Sequence, residues 1–342
     1  MTMIGIDPHK QSHTAVAIDD HEVVLDEFKL RASSVQVDRL REWATRFEER
    51  EWAVESANGL GYLLAQQLVA AGETVFDVPP MLASRVRVLG SGRSQKNDPN
   101  DARSVAIAAL RSDRLGRVCL DDHGRVLRLL VKRHRDMAQL RNKHCTRLHA
   151  LLGELVAGGI GTELTVSKAN AVLDAVMVES EVTRHRVLIA TELVDDIARL
   201  DLMLKASKKR VATAVSASGT TLTSIVGIGP INAATILGYC GDVGRFATKA
   251  QFASYNGSAP IEASSGGKVR HRLNQRGNRK INHALHIAAV CQLRHDGEGR
   301  TYYDRKIAEG KSSKEAVRAL KRRISDRVFR VVVDDSRRIK ID

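Results

Sequence analysis

Four carboxylates near the amino terminus stand where phosphoryl-transfer chemistry would need them. Asp7 closes the aliphatic run Met3-Ile-Gly-Ile-Asp7, and Glu55 closes a second short run, Glu51-Trp-Ala-Val-Glu55. Asp98 and Asp101 lie three residues apart, a spacing that shares one helical face. Oxygen ligands suit Mg²⁺, and two such ions about 4 Å apart activate an attacking group and stabilise the leaving oxygen. Taken singly, Asp98 or Asp101 reads equally well as a helix cap. No acid falls between Asp77 and Asp98, where Arg85, Arg87, Arg93 and Lys96 occur with Gly90 and Gly92. That stretch reads as a flexible basic loop guiding phosphate toward the acids.

A second place for chemistry lies in the carboxy-terminal half. Between Glu262 and Asp296 there are seven basic residues, Lys268, Arg270, Arg272, Arg276, Arg279, Lys280 and Arg294, and no acid. Such a tract repels cations and holds phosphates. Ser265 sits among small residues at its entrance, with Ser264 beside it as an alternative, so a hydroxyl there could approach phosphorus while guanidiniums stabilise developing charge. The other meaning is a Ser-Gly loop without chemistry. Upstream, Ser224-Ile-Val-Gly227-Ile-Gly229-Pro230 before Ile231–Leu237 reads as a helix-hairpin-helix element, whose Gly227 and Gly229 turn could present backbone N–H groups to a DNA phosphate. An ordinary Gly-Pro helix start is the alternative. Tyr302 or Tyr303, helped by Arg270, His271 and Arg272, would be the nucleophile of a tyrosine recombinase; packing is their plainer role.

These residues need a scaffold. Ile4–Asp7, Thr14–Ile18 and Glu22–Leu30 read as three strands, Val35–Glu49 as a helix, Glu51–Glu55 as a strand, Leu60–Ala71 as a helix, Thr74–Val78 as a strand and Asp101–Leu110 as a helix. The order βββαβαβα is that of the RNase H-like fold, in which the first and fourth strands are neighbours and bring Asp7 to Glu55. Beyond about Arg125 the strand signals stop. Leu127, Leu130, Met137, Leu140, Leu148, Leu151, Leu152 and Leu155 recur at helical spacing until Gly158-Gly159, and Leu193, Ile197, Leu200 and Leu204 mark a second amphipathic helix. The two could pair within the chain or join a partner. From Thr220 onward, helices alternate with Gly-rich loops.

Composition narrows the function classes. The chain has 342 residues, 43% hydrophobic and 27% charged, with a net charge of +14. Up to Gly124 there are 15 basic and 19 acidic residues; beyond it, 39 and 21. A mildly acidic front joined to a strongly basic back suggests that the back neutralises a polyanion while the front gathers carboxylates. No window approaches the roughly 18 apolar residues of a membrane span. Cys119, Cys145, Cys240 and Cys291 form no CxxC pair, as expected of reduced thiols in the cytoplasm. Asp7 interrupts the apolar stretch that a secretory signal would require, so export is not expected.

In combination these motifs resemble the DEDD transposases of bacterial insertion sequences, relatives of Piv-type DNA invertases described as bridge-RNA-guided serine recombinases. Gly5-Ile6-Asp7, Val54-Glu55-Ser56 and Lys96-Asn97-Asp98-Pro-Asn-Asp101-Ala102 match the acidic motifs; Gly227-Ile-Gly229, Phe252-Ala-Ser-Tyr-Asn-Gly257 and Ser264-Ser265-Gly-Gly match the carboxy-terminal ones. The resemblance implies a RuvC-like catalytic domain over residues 1–122, an α-helical coiled-coil linker over 123–216 and a small, mainly helical transposase domain over 217–342. It further implies Mg²⁺ on Asp7, Glu55, Asp98 and Asp101 and attack by Ser265 to give a covalent phosphoserine link. Donor and target double-stranded DNA, a structured noncoding guide RNA, and a homo-oligomer, dimeric and then tetrameric in the active complex, are the implied partners. The competing expectations are a RuvC-like junction endonuclease using metal-activated water, and a non-catalytic DNA-binding protein.

Overall fold

Aliphatic and β-branched residues in β1 (Thr2–Pro8), β2 (Ser12–Ile18) and β3 (Val24–Arg31) form an antiparallel meander. β1 then pairs in parallel with β4 (Arg50–Glu55) after α1 (Gln36–Ala44), and β4 with β5 (Val75–Val78) after α2 (Tyr62–Ala70). Two helices follow, α3 (Pro80–Ser91) and α4 (Asp98–Leu110), and the short strand β6 (Gly116–Arg117) closes the edge. The sheet order is β3-β2-β1-β4-β5-β6. This is the RNase H-like arrangement expected from the sequence. The structure, a computed structural model, describes residues 1–91, 98–112, 115–161, 163–262, 271–272, 274 and 277–339.

Alternation along the central strands divides the core in two. Ile4, Ile6, Trp52 and Val54 face α1 and α2, where they meet Leu40, Trp43, Leu64 and Leu68. Met3, Val16, Ala53 and Val78 face the other way, onto Ala83 of α3 and Ala102, Val105 and Ala106 of α4. The alanines let α4 lie close. At Gly5 contact is closest: a Cβ there would stand 2.2 Å from the Ala102 carbonyl oxygen and 2.5 Å from the Ala106 nitrogen. Only glycine at that point lets the helix reach the strand.

One expectation is corrected here. Residues 85–91 are not a loop, because α3 continues through them from Pro80 to Ser91. Leu82, Ala83 and Val86 recur at helical spacing and bury against the sheet, which outweighs the loop signal of Gly90 and the intervening arginines. Arg93 and Lys96 lie outside the described residues. α4 also begins three residues earlier than expected, so Asp98 and Asp101 both occupy its first turn.

The chain divides into two compact units, Met1–Asp121 and Asp122–Asp342. In the second, α5 (His123–Leu155) and α7 (Glu181–Ala217) pack against each other, with the short α6 (Val166–Asp174) between them in sequence. They run antiparallel: His134 meets Ser207 at 3.2 Å, Arg141 pairs with Asp201, and Arg186 Nε donates to Glu154 at 2.8 Å. Of the two pairings left open by the sequence, the intramolecular one is present. Asp122, Thr165 and Ser180 cap the three helices through side-chain oxygens. Leu127, Val131, Met137, Leu148 and Leu152 form the buried seam of α5, while Leu140 remains exposed. Gly158 and Gly159, at φ of +84° and +56°, take the chain out of helical geometry beyond α5.

The remaining elements are α8 (Pro230–Cys240), α9 (Lys249–Tyr255), a ribbon of β7 (Ile261–Glu262) and β8 (His271–Arg272), α10 (Arg279–Leu293), α11 (Glu298–Ala308) and α12 (Ser313–Ile339). Leu127, Val131, Val211 and Val215 share one core with Ala234, Phe252, Leu285, Leu320 and Val328, so one end of the helix pair is embedded among the carboxy-terminal helices. Among the described residues, no helix is long and apolar enough to cross a membrane.

Candidate active site

β1 and β4 set the first pair of carboxylates. Their parallel register places Ile6 beside Val54, and the next residues, Asp7 and Glu55, emerge at adjacent strand ends. The chain beyond Glu55 turns sharply: Ser56 has φ +51°, and its carbonyl accepts N–H bonds from Gly59 and Gly61 at 2.7 and 3.2 Å. A Cβ on Gly61 would fall 2.5 Å from Val54 Cγ1 and 2.8 Å from the Glu55 carbonyl oxygen. Tight backbone packing thereby fixes the strand end that carries Glu55. The second pair comes from α4, whose close approach at Gly5 carries Asp98 and Asp101 toward Asp7.

The four carboxylates converge. Asp7, Glu55 and Asp101 line one cleft of about 330 Å³ with His9, Arg87 and Ser104. Ligand atoms of Asp7, His9 and Asp98 lie within 4.8 Å of one another. Asp7 is buried, and burial together with the charges of Asp7 and Asp101 pushes the Glu55 carboxyl above the usual carboxylate range. Cations answer this concentration of negative charge. Arg87 of α3 pairs with Asp101, and Lys29 of β3 donates to Asp98 at 2.8 Å. The His9 ring also stands close, its Nδ1 3.7 Å from Asp7 Oδ2. A hard oxygen donor set whose members repel one another fits divalent cations of the Mg²⁺ kind.

Arg87 thus faces the acids, contrary to its expected place on a phosphate-guiding loop, while Arg85 stands on the same helix. His9 and Lys29 escaped the sequence analysis. Asp7-Pro8-His9 carries a faint signal in its two-residue spacing; Lys29 carries none, because only the sheet brings β3 near α4.

The carboxy-terminal candidates are placed less completely. Ser264, Ser265, Lys268, Arg270 and Arg276 lie outside the described residues, and Arg272 belongs to β8. Arg279 and Lys280 open α10 and are exposed. The expected helix-hairpin-helix is shorter than its name: a 3₁₀ turn, Leu222–Ser224, stands before the glycines, and Leu222, Ile225 and Ile228 pack into the core. Gly227, at φ +86°, lies against α10, where a Cβ would stand 2.7 Å from the Ala288 carbonyl oxygen. Packing alone therefore demands glycine at 227. Gly229 caps α8 and faces open space. Tyr302 lies beneath Arg305, Lys306 and Arg323, and the Tyr303 hydroxyl donates to Ser313 Oγ at 3.0 Å.

Two family models match the chain. A family model described as Transposase, of the DEDD IS110 type, matches residues 4–156, and one described as Transposase IS116/IS110/IS902 family matches residues 219–304. The insertion element IS116 44.8 kDa protein of Streptomyces clavuligerus is 27% identical, covering 97% of this chain and 94% of its own. The insertion element IS900 42 kDa protein of Mycobacterium paratuberculosis is 27% identical over 93% of this chain and 92% of its own. Among solved structures, Thermus thermophilus RuvC is similar at 19% identity and a TM-score of 0.27, over 34% of this chain and 100% of that one.

Proposed function

We propose that this chain, matched by transposase family models over residues 4–156 and 219–304 and 27% identical to the IS116 element's protein, is a transposase of that kind, and that it cuts DNA at the acidic cleft of its amino-terminal unit, with Asp7, Glu55, Asp98 and Asp101 as ligands of Mg²⁺ and water as the attacking group. The observation that carries this reading is the convergence of carboxylates from β1, β4 and α4, with the Glu55 pKa raised by burial and by its acidic neighbours. Cations bound there supply Lewis acidity to the phosphoryl oxygens and lower the pKa of the attacking water. The protein's part is positional. β1 and β4 hold Asp7 and Glu55 at fixed strand ends, α4 brings its first-turn acids to them, and Arg87 and Lys29 balance charge on the helix side.

A second reading adds a covalent step, in which the Ser265 hydroxyl displaces a deoxyribose oxygen from phosphorus, forming a phosphoserine link that the freed hydroxyl of another strand later reverses. In this reading a structured noncoding RNA selects donor and target, and dimers or tetramers assemble the site. Its support is that the carboxy-terminal family model spans the serine and its basic tract. One experiment separates the two. Duplex and four-way-junction DNA are incubated with Mg²⁺, with and without RNA that copurifies with the chain, and products are resolved on a denaturing gel before and after protease digestion. Water attack gives free ends whose formation survives Ser265→Ala. A protease-sensitive adduct lost in Ser265→Ala supports the serine reading instead, and intact DNA under all conditions contradicts both.

A further inference from the structure

A second charged site lies in the carboxy-terminal unit, apart from the acidic cleft. Gly257–Pro260 and the amino-terminal part of α12 enclose a pocket of about 430 Å³, whose charged lining is Lys311, Arg318, Lys321 and Arg322 against the single acid Glu315. That acid is committed elsewhere. Its Oε2 accepts from the Ser312 backbone N–H and hydroxyl at 3.0 and 2.6 Å, tying down the start of α12, and Arg318 reaches its other oxygen only at 4.0 Å. Arg322 pairs with Asp326 at 3.2 Å.

Lys321 is the unusual member. It is only 9% exposed, and among the described residues its ammonium has one hydrogen-bond acceptor, Asn282 Oδ1 at 2.7 Å, with no carboxylate partner. The acceptor is itself held rigidly: Asn282 Nδ2 donates to the Asn256 carbonyl at 2.9 Å, and Asn256 Nδ2 to Ser325 Oγ at 2.8 Å. Burial, with Arg279 and Arg318 nearby, holds the Lys321 pKa below its ordinary value. On the same lining, Ser258 Oγ is buried without a hydrogen-bond partner among the described residues. A buried cation with no counterion and a buried hydroxyl with no partner are both costly unless a ligand completes them. The ligand they ask for is anionic and has several acceptor oxygens.

We propose that this pocket is a phosphate-binding site occupied by one backbone phosphate of a nucleic acid, with Lys321 and Arg318 supplying charge and Ser258 Oγ a hydrogen bond. The nucleic-acid source rests on the proposed function; the anion site does not. A tetrahedral phosphodiester offers oxygens to donors on both walls at once, and the Gly257–Pro260 wall directly precedes the basic tract in sequence.

The test uses the full chain in two arms. In the first, melting is followed with inorganic phosphate against chloride at matched ionic strength. Phosphate raises the wild-type melting temperature, and Lys321→Met and Arg318→Gln each remove most of that rise. Arg318 is half exposed, so its replacement leaves the fold intact even if Lys321→Met does not. No rise in wild type, or an equal rise in Arg318→Gln, overturns the pocket. In the second arm, binding to a DNA duplex and to a hairpin RNA is measured across salt concentrations. Arg318→Gln and Lys321→Met lower the slope of log affinity against log salt by about one for the polymer that supplies the phosphate. Unchanged slopes for both polymers overturn the nucleic-acid source. Failure of the wild type to bind either polymer removes the proposed function and that source together, while the phosphate arm still judges the pocket.

Discussion

Glu55 concentrates the chemistry of the acidic cleft, because its carboxyl feels burial and two neighbouring acids together. A raised carboxyl pKa means that the folded chain holds this proton more firmly than the unfolded chain. Its contribution to stability is therefore complete below the ordinary glutamate value and is lost as pH rises through the elevated one. In chelator, melting temperature should decline from acid to neutral pH, Glu55→Gln should flatten that decline, and Mg²⁺ should restore the wild type more than the variant; thermal melting across pH checks all three. Arg87 opposes the same repulsion. Arg87→Gln should lower metal-free stability at neutral pH and increase the melting shift produced by Mg²⁺, whereas an unchanged shift would assign Arg87 elsewhere. At this scale the sequence was legible for the acids, whose strand-end and helical spacing carries meaning. It was silent on Lys29 and misleading on Arg87, since neither the partner of a surface lysine nor the direction of an arginine on an unrecognised helix can be read from spacing.

Elements place these residues, and two glycines govern the placement. Gly5→Ala drives a methyl into the Ala102 carbonyl and the Ala106 nitrogen, backbone atoms that cannot yield singly. It should cost about 3 kcal/mol in denaturant unfolding, and it should weaken Mg²⁺ binding more than a mutation of equal cost far from the cleft. Gly227→Ala meets α10 as well as an unfavourable φ and should destabilise the carboxy-terminal helices. Leu152, fully buried in the helix-pair seam, should cost about 2–5 kcal/mol when replaced by alanine. Strand order and the long helices were evident in sequence because their periodicity extends over many residues. α3 was not, for only Leu82, Ala83 and Val86 pack on the sheet, while arginines, Gly90 and the exposed Met81, Val88 and Leu89 blur the stripe. The antiparallel partner of α5 was undecidable from periodicity alone, which describes a stripe without saying what covers it.

Across the molecule, charge follows the division of labour. The front half, with more acids than bases, carries the carboxylates proposed as metal ligands, and the back half holds the basic excess proposed to engage phosphate. DNA affinity should therefore fall steeply with salt and be carried by the basic half, while loss of an acid from the cleft should stop cutting without loosening DNA. The most direct measurement is strand cleavage by Asp7→Asn in Mg²⁺, with DNA binding by the same sample recorded alongside. A loss of cleavage by about two orders of magnitude or more, with binding equal to wild type, is the expected result. Cleavage at the wild-type rate by Asp7→Asn would contradict the assignment of the acidic cleft as the place where DNA is cut.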